Sequence, residues 1–359
     1  MKSARAESHK RQPSQFSLTL FTSTLFTSLI CLSFLMVGTM LAQDQSVSVQ
    51  VGAEDRAAGT YGISNFRYHI LPARTPAGSA ARSTRTTKLS RTSAASASSG
   101  GFYPADLTRG NGPVVKKAVL HDIDFNCDES CWGKPSAFLN DLGQSTFIHV
   151  LDRYVGATGN GRYTVGANVS ASADLFTNTV GQNDILAIVH AAAAKLGKTG
   201  YGHIYHLFLP NGVDTCFDQT NVCYSPDNPS SFAFCGYHGS VTYSDIGHVL
   251  LTVEPFQNVD GCSVATPSPN GALVDSTANV LSHETFETIT DPDPPATFAD
   301  LLNGNFGWLA VNSLVEFGEE VADVCEDPFF GYNPVTLNGT SYEIQPEYSN
   351  KFHTCAFVP

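Results

Sequence analysis

His283-Glu284-Thr285-Phe286-Glu287 sets an imidazole and a carboxylate four positions apart. On an α-helix, positions i and i+4 share one face, so His283 and Glu287 can grip one cation from adjacent turns. Glu284 lies about 100° around the axis, where it can act on a water held by that ion. The spacing follows the His-Glu-x-x-His zinc hydrolases, with a carboxylate replacing the second histidine. A second acidic run, Glu319 to Asp327, follows downstream, and Glu320 or Asp323 can supply a third ligand from another element.

The five-residue pattern alone would also suit a solvated acidic helix face. Its surroundings argue for burial: Leu273, Val274, Val280, Leu281, Phe286 and Ile289 make the stretch apolar. Buried carboxylates need partners, and no Lys or Arg occurs between Lys198 and Lys351. A divalent cation would neutralise Glu284, Glu287, Glu320 and Asp323. Otherwise raised pKa values, hydrogen bonds or an Arg from elsewhere must do so. Zinc is the first choice; donors this hard and anionic make manganese or calcium the alternatives. In a zinc site Glu284 would be general base on a water whose pKa falls to about 7.

Other residues have weaker claims. Asp291 and His238 are candidates for supporting contacts around the ligands. His238, in Cys235-Gly-Tyr-His-Gly-Ser240, reads as a hydrogen bonder in a glycine turn beside a cysteine, or as a group reaching the site. His203 and His206 point to opposite faces of one strand. His121, Asp122 and Asp124 read only as the end of the first strand. Two acids flanking a sugar would make a glycosidase, a minor alternative in so acidic a chain. Ser-nucleophile, phosphate-loop and dinucleotide signatures are missing from the sequence.

The elements that must carry these residues alternate. Residues 112–125 read as a strand, 136–156 as helical, and 183–197 as a helix stopped by Gly197. Residues 202–210 and 246–256 are β-rich, 271–292 form a helix ended by Pro292, and 341–357 close the chain as a strand or hairpin. The expected fold is therefore mixed α/β (α+β). It is a single compact domain with one mixed sheet and a buried, zincin-like helix bearing the motif.

The chain's 359 residues include 20 Lys+Arg and 33 Asp+Glu. From Gly101 onward, nine basic residues face 29 acidic ones, 9 − 29 = −20. Such a surface repels phosphate backbones, which excludes nucleic acid as a partner. Lys2, Arg5, Lys10 and Arg11 precede an uncharged apolar run to Ala42, predicting a signal peptide over 1–42 and a secreted protein. The run could also span a bilayer, so a membrane association follows if it is retained as an anchor. Residues 43–101, rich in Ala, Ser, Thr and Arg, read as a largely disordered linker. The globular domain is expected over 102–359. Outside the signal eight cysteines remain, consistent with disulfides in an oxidising compartment. Cys127–Cys131, Cys216–Cys223 and Cys325–Cys355 are plausible pairs.

Taken together, "VLSHETFETITDP", "EEVADVCE" and a terminal strand with Cys355 resemble the EXORDIUM / phosphate-induced protein family. The matching positions are His283, Glu284, Glu287, Thr290, Asp291 and Pro292, then Glu320, Val321, Ala322, Asp323 and Cys325. "GPVV", "GHIYHLFLP" and "CGYHGS" look like further family landmarks, so the resemblance runs from Gly112 to the C-terminus. One departure is the stretch from Asp293 to Gly318, where the family often has Trp-Tyr soon after the turn. The resemblance implies a secreted, wall-associated protein without a settled activity. Two functions remain open: a zinc-dependent, protease-like hydrolase acting on an extracellular polymer or peptide, and a non-catalytic extracellular module whose acidic cluster is structural.

Overall fold

Strict alternation of side chains sorts each central strand onto two faces, and both faces need cover. The computed structural model describes residues 47–56, 61–74, 106–175, 177–217, 221–313, 316–326 and 333–359, all within the unit Gln45–Pro359. The central strands are β1 (Val47–Gln50), β2 (Ser64–Pro72), β3 (Ala118–Phe125), β4 (Tyr163–Val165), β5 (Val169–Ser172), β6 (His203–Phe208), β7 (Phe234–Tyr243) and β8 (Gly247–Glu254). Their order across the sheet is β1-β5-β3-β6-β8-β7-β2, with β4 beside β3. The strands from β1 to β8 in that order pair in parallel, while β7 and β2 pair antiparallel. The fold is thus α+β on one mixed sheet, as the sequence pattern predicts.

One face is covered by α2 (Gln182–Leu196), whose Ile185, Ile188 and Val189 share a core with Ile123, Leu207, Leu251 and Val253. Asp184 caps the helix by accepting from the Gly181 N–H at 2.9 Å, and Gly197 closes it with φ 63°. The other face carries α1 (Pro135–Gln144) and α3 (Ala272–Thr290), where Phe138, Leu281, Phe286 and Ile289 pack against Leu120, Ile204 and Leu250. Each fully buried side chain of this size contributes about 1.5–3 kcal/mol. Helix α3 ends at Asp291, which leaves helical geometry with φ −142° because Pro292 disfavours the α region before it.

Two expectations change. Residues 43–101 are not wholly linker: β1 and β2 belong to the central sheet. Asn65-Phe-Arg-Tyr-His-Ile-Leu71 alternates sides, and that periodicity suffices once β7 offers an edge. The signal at 1–42 and the run 75–101 lie outside the described residues. Second, "CGYHGS" is not a turn but the middle of β7. Its glycines answer close approaches: a Cβ at Gly239 would collide with the Arg67 carbonyl, and one at Gly236 would stand 2.8 Å from Glu284 Oε1.

All eight cysteines outside the 1–42 segment pair. Three pairs are those the spacing suggests, and the fourth is Cys235–Cys262. Among the described residues no helix is long and apolar enough to cross a membrane.

Candidate metal centre

Helices buried on all sides are ordinarily apolar. Helix α3 is buried throughout from Asp275 to Thr290, yet carries Asn279, Ser282, His283, Glu284, Thr285, Glu287 and Thr288. Some of this polarity is absorbed locally: Thr288 Oγ1 donates to the Glu284 carbonyl at 2.6 Å. The ionisable groups instead converge on one place. His283, Glu284 and Glu287 come from α3, His238 from β7 and His69 from β2. Glu320 and Asp323 come from the segment held by Cys325–Cys355, and Glu347 from the C-terminal strand Glu347–Ser349.

The sheet register explains the two strand histidines. His69 pairs with His238, His238 with Thr252, Thr252 with His206, and His206 with Asp122. Directly opposed residues share a face, so one polar row crosses five strands beneath α3. At its far end His206 Nδ1 meets Thr252 Oγ1 at 2.7 Å, and Ser136 Oγ donates to Asp122 Oδ2 at 2.5 Å. Burial pushes Asp122 up to about 7 and His206 down to about 4. His121 and His203 face the opposite way from that row, with ring nitrogens 3.1 Å apart.

Hydrogen bonds outside the cluster fix which nitrogen faces it. His238 Nε2 meets the Asp291 carbonyl at 3.2 Å. A carbonyl only accepts, so Nε2–H donates and Nδ1 is left toward Glu284 Oε2 (3.5 Å) and Glu287 Oε2 (3.4 Å). His283 Nδ1 lies 3.3 Å from Gln345 Oε1, and Gln345 Nε2 donates to the Ala322 carbonyl at 2.8 Å. Nε2 of His283 thereby faces Glu287 Oε1 at 3.1 Å and Asp323 Oδ1 at 3.7 Å. Orientation of a ligand imidazole through its other nitrogen is characteristic of metal sites. His69 Nε2 lies 2.7 Å from Asp323 Oδ2 and its Nδ1 3.5 Å from Glu320 Oε1. Glu320 Oε2 in turn stands 3.7 Å from His238 Nε2.

Electrostatics follow from burial. It would lower His238, but Glu284 and Glu287 overcome it and push the imidazole up to about 10. Glu284 is raised to about 7 chiefly by desolvation, and Asp291 likewise to about 7 despite the Gly307 N–H bonded to it. Glu320 is driven well above the carboxylate range by burial, then by Asp291 and Glu287; burial does the same to Glu347. Burial and Asp323 push Glu287 up, yet His283 and His238 outweigh them and hold it below its ordinary value.

The sequence motif therefore comes together: His283, Glu284, Glu287, Glu320 and Asp323 share one buried cluster. Two groups have ligand atoms close enough to hold a metal ion, His69/Glu287/Asp323 and His238/Glu284/Glu287. His238 stands in one of them, Glu284 beside it. Asp291 supports the cluster through its carbonyl and is itself anchored by the Gly307 N–H at 2.7 Å. His69 escaped the sequence reading because it lies in the presumed linker; the alternation in β2 was the available signal. Gln345 and Glu347 had no motif to mark them.

A cleft of about 330 Å³ is lined by Asn65, Arg67, Tyr201, Ser240, His248 and Asp293, among others, and by no member of the cluster. Arg67 and Ser240 each lie two strand positions from a cluster member, His69 and His238. Two residues along a strand span about 7 Å on the same face. Ser240 Oγ and Tyr201 Oη both donate to Asp293, at 2.5 Å.

Comparison with known proteins returns no matching family model, no matching curated protein and no matching solved structure. The resemblance to the EXORDIUM family therefore rests on the motifs in this chain.

Proposed function

We propose that this chain is an extracellular, divalent-cation-dependent hydrolase of the EXORDIUM type, acting on a peptide or another polymer. One observation carries the reading. His238 Nδ1, His283 Nε2, Glu287 Oε2 and both oxygens of Glu284 and of Glu320 are buried together without a hydrogen-bond partner. Among the described residues the ion pairs of Glu284, Glu287 and Glu320 are all with histidines. Uncompensated buried charge costs several kcal/mol per ion, and a cation removes that cost. The donors fit: imidazoles and carboxylates suit zinc, and the excess of carboxylate oxygen suits manganese or calcium.

Bound there, a cation supplies Lewis acidity and lowers the pKa of a water. His69, His283, Glu287 and Asp323 bind and orient it, with Gln345 holding the His283 ring. Glu320, beside His69 and driven well above the carboxylate range, is placed to hold a proton and deliver it. Glu284, expected as general base, stands in the second ligand-type group with His238 and Glu287. The cleft gives substrate a bed, and His69, with 16% of its side chain exposed, is the member nearest solvent. Four disulfides fit secretion.

The complete burial of Glu284, Glu287 and Glu320 favours a second reading, a non-catalytic wall module with a structural cation. The experiment that separates them is a screen of peptide and polysaccharide substrates with and without EDTA, repeated on Glu320→Gln. Chelator-sensitive turnover that falls about 10²- to 10⁴-fold in the variant, with metal content unchanged, supports the hydrolase. Metal without turnover on any substrate supports the module.

A further inference from the structure

We infer that the centre holds two divalent cations, bridged by the two carboxylate oxygens of Glu287. This rests on the cation-centre reading above and adds its nuclearity.

The two ligand-type groups share Glu287 and no other residue. Its oxygens face different partners. Oε1 looks toward His283 Nε2 (3.1 Å) and accepts from the Asp323 N–H (3.2 Å), whereas Oε2 looks toward His238 Nδ1 (3.4 Å). One half-site is therefore His69, Asp323 and Glu287, with His283 Nε2 beside it, 3.1 Å from Glu287 Oε1 and 3.7 Å from Asp323 Oδ1. The other is His238, Glu284 and Glu287 Oε2. Glu320 lies outside both, with Oε1 toward His69 Nδ1 and Oε2 on the Nε2 side of His238.

The spacings suit ligands around an ion. Donor atoms about 2.0–2.2 Å from a cation stand about 3.0–3.6 Å apart in octahedral or tetrahedral arrays. Apart from His69 and Asp323, the facing pairs of the two half-sites measure 3.1 Å to 3.7 Å. Unpartnered buried atoms point into both: Glu284 Oε1 and Oε2 with His238 Nδ1 in one, His283 Nε2 in the other. At His69 and Asp323, 2.7 Å apart, the cation takes the place of the shared proton.

The half-sites differ in hardness. Two imidazoles with two carboxylates suit zinc, while one imidazole with two carboxylates suits manganese or calcium. One ion alone would leave either His283 or the His238/Glu284 pair facing an uncompensated carboxylate.

The test strips the full-length chain with EDTA, reloads it with Zn(II) or Mn(II), and counts metal per chain by elemental analysis after desalting. The Mn(II) form is then read by EPR. Two equivalents are expected, with a spin-coupled spectrum, since carboxylate-bridged ions sit about 3.5–4 Å apart. His69→Ala and His238→Ala should each keep one equivalent and lose the coupling, with unchanged circular dichroism confirming the fold. One equivalent in the parent, or two uncoupled ones, overturns the bridged pair and leaves the single-ion reading standing. None overturns both.

Discussion

His238 Nδ1 lies 3.4 Å from Glu287 Oε2, joining the middle of an internal strand to the last turn of a buried helix. Among the described residues neither has a Lys or Arg in an ion pair with it. Each is oriented from behind, His238 by the Asp291 carbonyl and Glu287 by the Asp323 N–H. A hydrogen bond between them would need better alignment. A cation between them needs what is there.

Close packing of α3 on β7 makes Gly236 a sharp probe. A methyl group there would meet Glu284 Oε1 and Val280 Cγ1, both at 2.8 Å. Gly236→Ala should displace the Glu284 carboxylate and lower cation affinity. Overpacking of this kind costs about 1–3 kcal/mol of stability. Titration calorimetry beside a thermal melt separates the two effects.

Gln345 is not a ligand of the proposed cations; its side chain meets His283 and the Ala322 carbonyl. Its loss should free the imidazole to rotate. Removal of such outer partners costs about 10- to 100-fold in metal affinity. Gln345→Ala should show that loss in a competition assay with a chromogenic chelator, whereas Gln345→Glu, which keeps the acceptor, should recover most of it.

Protons and cations compete for the same atoms. The facing carboxylates leave His238 raised to about 10 against the pull of burial, and burial leaves Glu284 raised to about 7, so near neutrality the cation-free centre retains protons. Binding must expel them. A group with a raised pKa holds its proton below that value, so affinity should increase with pH from about 6 toward about 8. Calorimetry in buffers of different ionisation enthalpy should report net proton release at neutral pH; zero release would contradict the titration behaviour of this cluster.

Much of this was legible in the sequence, for definite reasons. Helix α3 and the Glu320–Cys325 segment announce themselves because i, i+4 spacing and the lack of basic residues are visible without a fold. Three disulfides follow from short or terminal spacing. His69 was hidden, and His238 was read only as a supporting group, for opposite reasons. The β2 alternation is short and abuts an Ala/Ser/Thr-rich run, so its neighbours masked it. In β7, Gly236 and Gly239 look like turn residues, yet they answer crowding by Glu284 and by the β2 backbone. That crowding exists only after β2, β7 and α3 have met.

The most direct test of the cation centre is the metal content of the purified full-length chain, paired with its thermal unfolding before and after EDTA. Stoichiometric divalent metal is expected, with a lower unfolding temperature once it is removed, since a ligand at about 100 times its Kd stabilises by about 2.7 kcal/mol. A metal-free chain that takes up none on reloading and melts identically with and without EDTA would contradict it.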